Sequence, residues 1–176
     1  ESFDLIAIGG GTAGLVTAAG ASYLGARAAL IERERLGGDC LWTGCVPSKA
    51  LVASAHAAQL RRDAGRLGIL GKAKPVDLAE VMRSMRAARE LVARHDDPAR
   101  FRALGVDVVT GAAEFLTSRT IRVGDRTLTA PRIVIATGSL PAVPAIPGLD
   151  TAGYHTHRTI FDLEEAPAPL AVIGGG

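Results

Sequence analysis

The short apolar run Phe3–Ile8 breaks directly onto Gly9-Gly10-Gly11, and this junction restricts the fold more than any other feature of the chain. An apolar run without polar alternation reads as a strand buried on both faces. The glycines call for a tight turn at its end. Thr12–Leu24 is rich in Ala and Leu and stops at Gly25, as a helix does, and Ala28–Ile31 is apolar again and ends on Glu32. Strand, helix and strand within about 30 residues make a right-handed βαβ unit.

Residues 33–45 read as irregular, and Pro47 then opens a helix that runs to about Arg62. Asp77–Arg94 has the clearest helical period: Leu78, Val81, Met85, Ala88 and Val92 share one face, and Arg83, Arg86, Glu90 and Arg94 the other. From Val106 the period shortens. Val106–Val109, Ala112–Leu116, Thr120–Val123, Thr127–Thr129 and Ile133–Ala136 read as a β-meander feeding one last buried strand. Pro141, Pro144 and Pro147 mark residues 138–150 as an ordered linker.

A length of 176 residues suits one domain, or one domain plus a piece of another. The hydrophobic share of 48% supports a core, while 4% aromatics and 21 glycines fit close-packed helices and turns better than a β-sandwich. A net charge of +2 argues against nucleic acid or an anionic membrane as partner. No apolar run reaches the ~18 residues of a membrane helix and no signal peptide is evident, so a cytoplasmic location is expected. Leu5-Ile6-Ala7-Ile8-Gly9-Gly10-Gly11 and Leu170-Ala171-Val172-Ile173-Gly174-Gly175-Gly176 agree at five of seven positions. The repeat predicts two dinucleotide-binding units, with residues 1–147 forming the first and 148–176 a linker and the first strand of a truncated second.

Gly9-Gly10-Gly11-Thr12-Ala13-Gly14 satisfies G-x-G-x-x-G. Gly9 allows the turn, Gly11 lets backbone approach a pyrophosphate, and Gly14 lets helix pack on strand. The first helical N–H groups, around Thr12 and Ala13, then face the phosphates with the helix dipole behind them. Glu32 follows Gly14 by 18 residues, close to the spacing of the acid that binds an adenosine ribose. NAD and FAD both satisfy this pattern.

Cys40 and Cys45 lie in Gly37-Gly38-Asp39-Cys40-Leu41-Trp42-Thr43-Gly44-Cys45-Val46-Pro47-Ser48-Lys49. Pro47 sets helical φ just inside a helix start, which puts Cys45 at or near that N-terminus. A thiolate there is stabilised by the dipole and becomes a nucleophile and redox partner. The other readings are a pair of idle buried thiols or a structural disulfide. Zinc would want about four ligands, and neither another Cys nor a suitably spaced His completes a site. His155-x-His157 could present two imidazoles from one strand face but lacks a third ligand, so no metal site is expected.

With both cysteines in view, the chain resembles the class I pyridine nucleotide-disulfide oxidoreductases, the family of dihydrolipoyl dehydrogenase, glutathione reductase and mercuric reductase. The resemblance rests on Gly9–Gly14, Glu32 and the Cys40–Cys45–Pro47–Lys49 block, with Gly111–Phe115 and Ala136–Ser139 as softer matches. It implies an α/β, Rossmann-like FAD-binding domain: a mostly parallel sheet with helices on both faces plus a β-meander, truncated at the start of a second such unit. FAD would occupy the first fingerprint, and NAD(P)H the second in the full-length enzyme. Cys40 would be the interchange thiol and Cys45 the flavin-side thiol. Lys49 would stand beside the flavin, Ala113 would contact the adenine end, and Thr137 and Gly138 would lie where a strand end meets the cofactor. Gly38 and Asp39 would border the diphosphate.

Electrons would pass from NAD(P)H through FAD to a Cys40–Cys45 disulfide and on to a disulfide, metal-ion or quinone-type acceptor, in a homodimer. The 176 residues alone are not expected to turn over. Asp39 stands where many members have a hydroxyl, and Trp42 where Asn is common; these changes lean towards the mercuric-reductase-like branch. Two other readings compete: a plain NAD(P)-binding dehydrogenase domain, which leaves the cysteines idle, and a non-catalytic nucleotide-binding redox sensor.

Overall fold

The computed structural model describes residues 1–69, 71, 74–167 and 169–174. Its centre is a four-stranded parallel sheet of β1 (Leu5–Ile8), β2 (Ala28–Glu32), β3 (Asp107–Thr110) and β7 (Arg132–Ile135), in the order β3-β2-β1-β7. Leu5 pairs with Ala28 on one side and with Arg132 on the other, so β1 is central. The helix α1 (Thr12–Tyr23) links β1 to β2, as the βαβ pattern requires. The chain runs outward from β1 to β2 and β3 and returns to place β7 on the other side of β1, and the crevice at the strands' carboxyl ends at such a reversal is where these sheets bind ligands.

Side chains alternate across a strand, so the sheet has two faces to cover. On one, Ala7, Leu30 and Val108 pack against Leu15 and Ala18 of α1 and against Phe101 of α5 (Pro98–Ala103). On the other, Ile6, Ile8, Ala29 and Ile31 pack against Ile121, Val123 and Leu128. Those last residues belong to a three-stranded antiparallel meander of β4 (Glu114–Thr117), β5 (Thr120–Val123) and β6 (Arg126–Thr129). The parallel sheet and meander are as expected, but helices on both faces are not: the meander takes the second face. Strands buried on both sides carry no alternation that could reveal which kind of element covers each.

The remaining helices stand to the side. The helix α3 (Cys45–Asp63) packs against α4 (Leu78–Ala93), and Phe161 closes that pair against Met82 and Met85. The segment expected to be irregular contains a short helix, α2 (Gly38–Trp42). Val106–Val109 was expected in the meander, but the run forms β3 of the parallel sheet. The strand expected to be last and buried, β7, is an edge with Ile135 68% exposed, because its outer side has no partner among the described residues. A last helix, α6 (Leu149–Ala152), follows the proline linker.

Leu170–Ile173 forms no strand. Leu170, Val172 and Ile173 are exposed, and a strand needs a neighbour for its backbone groups. Gly174 is described, whereas Gly175 and Gly176 of the second glycine run lie outside the described residues. Among the described residues no helix is long and apolar enough to cross a membrane.

Candidate functional site

The parallel ladder continues one residue past its strands. Gly9 N–H donates to the Ile31 carbonyl at 2.8 Å, Ala136 N–H to that of Ile8 at 2.7 Å, and Gly111 N–H to that of Glu32 at 2.9 Å. Four strand ends are thereby held side by side, and a cavity of about 620 Å³ opens beyond them. Gly9, Gly11, Glu32, Gly38, Asp39, Ala113, Thr137 and Gly138 all line it, so the sheet gathers into one place residues spread over most of the chain. This volume lies within the range of roughly 300–1,000 Å³ typical of cofactor pockets.

The glycines differ in what they do. Gly9 has φ +109°, and a Cβ on it would sit 2.2 Å from the Ala136 carbonyl oxygen. A Cβ on Gly14 would sit 1.8 Å from the Gly9 carbonyl oxygen, which is how α1 comes to lie so close to β1. Protein atoms make no such demand at Gly11, where a Cβ would meet only Gly38 Cα, at 3.7 Å, on the cavity wall. A bare wall of facing glycine backbone fits the close approach of a diphosphate. The residues present therefore suit a dinucleotide.

Glu32, at the end of β2, accepts from Gly10 N–H at 2.6 Å and from Glu34 N–H at 2.8 Å. A carboxylate has about four acceptor sites, so capacity remains for hydroxyls of a ligand. Asp39, in the first turn of α2, accepts from the Thr43 hydroxyl at 3.1 Å and faces His157 Nε2 at 3.8 Å. Trp42 ends α2, donates its indole N–H to the Leu36 carbonyl at 2.7 Å and stacks under Arg35 at 3.6 Å. Arg89 of α4 reaches the Trp42 carbonyl at 3.3 Å.

The two thiols meet where α2 gives way to α3. Cys40 sits in the middle of α2, and the chain breaks helical form at Thr43 and Gly44 before Cys45 begins α3. Both are free thiols, Cys40 half-buried and Cys45 exposed. Hydrogen bonding to the Cys45 thiol, then burial and the charge of Cys45, push the Cys40 thiol above its ordinary range, while the Thr12 hydroxyl works against them. Cys45 thus occupies the helix start predicted for it, with Pro47 buried in the same first turn.

Cys40 does not open into the large cavity. With Thr12 it lines a second one of about 330 Å³ behind α1, walled by Leu15, Val16, Phe101 and Leu104 and bordered by Asp96 and Arg100. Burial raises the Asp96 carboxyl above its usual range. Neither Cys45 nor Lys49 is among the residues lining these two cavities; Lys49 is exposed on α3, one turn beyond Cys45. Ala13 is exposed at the start of α1, and Gly14 is buried beneath it.

Ser139, the end of the softer match Ala136–Ser139, also lines the large cavity, as do Arg33, Arg35, Trp42 and Arg158, which were not expected as binding residues. Arg33 and Arg35 just after Glu32 suggest a 2′-phosphate site by position, but Glu32 itself would repel one. Arg158 carries no local signal, because only the fold returns it to this rim. His155 and His157 do not converge: His155 Nδ1 lies 3.3 Å from the Thr159 hydroxyl, and His157 turns to Asp39.

The family model of the pyridine nucleotide-disulphide oxidoreductases matches residues 3–176. A mercuric reductase of Lysinibacillus sphaericus is 34% identical over 176 residues, which is 100% of this chain and 32% of that protein. A glutathione reductase of Nostoc sp. is 34% identical over 178 residues, covering 99% of this chain and 37% of its own length. Among solved structures, the Cu(II) complex of the HOCl-induced flavoprotein disulfide reductase RclA from Escherichia coli superposes with a TM-score of 0.75 at 27% identity, over 94% of this chain and 35% of that one. The chain thus spans about a third of the length of these relatives. With the family model matching nearly the whole of it, the chain belongs to the pyridine nucleotide-disulphide oxidoreductase family.

Proposed function

We propose that the chain is the FAD-binding part of an NAD(P)H-dependent disulfide oxidoreductase that works through Cys40 and Cys45. The observation that carries this reading is the pairing of the two thiols at the start of α3, next to a glycine-walled cavity at the carboxyl edge of a parallel sheet. Bound FAD would supply two-electron exchange between a nicotinamide nucleotide and the dithiol.

The backbone of Gly9, Gly11 and Gly38 would hold the diphosphate, with the N–H groups of Thr12, Ala13 and Gly14 directed at it. Glu32 would accept from ribose hydroxyls, Ala113 would contact the adenine end, and Thr137 and Gly138 would lie along the cofactor's course. Lys49 would bring a positive charge towards the ring. Residues 148–176 would lead into the nicotinamide-binding unit.

With a disulfide acceptor, the Cys40 thiolate attacks one sulfur, forms a mixed disulfide and releases the first thiol. The Cys45 thiolate then attacks Cys40 Sγ, closing the Cys40–Cys45 bond and releasing the second thiol. Metal-ion and quinone acceptors draw on the same dithiol, and the mercuric reductases among the relatives support the metal-ion class. The full protein would act as a cytoplasmic homodimer.

Two-electron reduction of the full-length protein tests this reading. A long-wavelength band from the Cys45 thiolate against oxidised FAD should appear and be absent from Cys45→Ser, whereas Cys40→Ser, which has no disulfide to take the electrons, should show the band before any reduction. A band unchanged in Cys45→Ser overturns the role given to Cys45, and a colourless holoprotein favours a plain nicotinamide-binding domain.

A further inference from the structure

Asp39 places a carboxylate on the wall of the cavity that also presents Gly9 and Gly11, and Glu34 stands on the same rim. Both oppose the entry of a diphosphate, since like charges raise each other's energy at short range. Positive charge reaches them from a distant part of the chain. His157 Nε2 lies 3.8 Å from Asp39 Oδ2, and Arg158 Nη2 lies 4.0 Å from Glu34 Oε2. Arg158 itself lines the cavity.

The segment that carries these two residues is closed into a turn and anchored on its C-terminal side. Thr156 N–H donates to the Thr159 hydroxyl at 3.1 Å, and Ile160 N–H to the Thr156 carbonyl at 3.0 Å, so a tight turn presents 157 and 158 together. Phe161, 8% exposed, is packed with Met82 and Met85 of α4, and Arg86 reaches the Leu163 carbonyl at 3.5 Å. The turn is thus fastened to α4 while its tip faces α2.

We propose that His157 and Arg158 form a cationic strap that offsets Asp39 and Glu34 at the cavity mouth and so admits a dinucleotide diphosphate. The strap rests on the cofactor reading above and adds to it two positioning residues outside the glycine fingerprint. The carboxylate at position 39 is tolerated because the imidazole and guanidinium accompany it. Arg33 Nε also lies 3.5 Å from Glu34 Oε1, so Glu34 stands between two guanidiniums, while Arg35 and Glu32 face the same cavity as a constant background.

A double-mutant cycle on the full-length protein, stripped of flavin, tests the strap through FAD affinity at pH 6 and pH 8. At pH 6, His157→Asn should weaken binding about two- to fivefold, the range of an exposed ion pair. In an Asp39→Asn background the same change should cost nothing. A second readout needs no cofactor: in urea unfolding, His157→Asn should lower the midpoint in the wild-type background and leave it unchanged in the Asp39→Asn background. Equal losses in both backgrounds, by either readout, overturn the strap alone. Wild-type protein that binds no FAD overturns the cofactor reading, and the strap with it.

Discussion

The indole N–H of Trp42 donates to the carbonyl of Leu36 at 2.7 Å, six residues earlier, and closes the loop that carries Asp39 and Cys40. Leu36 is buried, so its carbonyl depends on this donor. Trp42→Phe should therefore destabilise the fold by about 1 kcal/mol, the usual worth of a lost hydrogen bond. Arg35→Ala, which removes only the exposed stacking partner, should cost less. Urea unfolding of both variants gives the comparison, and a neutral Trp42→Phe refutes it.

Two glycines of the same helix should respond in opposite ways. A Cβ at Gly14 would lie 1.8 Å from the Gly9 carbonyl oxygen, whereas at Gly20 nothing lies within 4 Å. Gly14→Ala must push α1 off the sheet and should cost about 3 kcal/mol, the upper end of overpacking. Gly20→Ala should stabilise by about 0.5–1 kcal/mol through helix propensity. Thermal melts of the pair decide the matter; equal effects would contradict the packing described.

Glu32 holds two backbone donors, one on the buried Gly10. Glu32→Ala leaves both unmet and should cost about 1.5–3 kcal/mol, as for hydrogen bonds to a charged group. Glu32→Gln keeps an acceptor and should fall between. Denaturant midpoints should rank wild type, Gln, Ala, and any other order rejects the bridging role.

Cys40 has a thiol pushed up chiefly by hydrogen bonding to Cys45, then by burial. A raised folded-state value means the fold favours the neutral thiol. That contribution is full below the ordinary thiol range and is lost as pH rises through the folded value. Alkylation of Cys40 by iodoacetamide should accordingly set in at higher pH than that of a free thiol. In Cys45→Ala the profile should move to lower pH. Rates at Cys40, followed by peptide mass spectrometry, check this, and a profile unmoved by Cys45→Ala rejects the coupling.

What the sequence revealed follows how local each cause was. The turn at Gly9, the close approach at Gly14 and the helix start at Cys45 depend on neighbours a few residues away, and each is where the pattern put it. The helix α2 has five residues, too few to display a period. The helix α5 did carry a signal: Asp97 caps it by accepting from Ala99 N–H at 2.7 Å, and Pro98 follows at its first position. His157 and Arg158 reach the cavity only because Phe161 finds Met82 and Met85, a tertiary contact that no spacing announces.

The two cavities share no lining residue: one holds Gly9, Gly11 and Glu32, the other Cys40, Val16 and Leu104, with α2 as the partition, Asp39 and Trp42 on one side and Cys40 and Leu41 on the other. Inheritance can therefore rewrite either compartment independently. Exchanges at Val16, Ala19 or Leu104 would alter what comes near the Cys40 sulfur and leave the lining of the chamber across the helix as it stands.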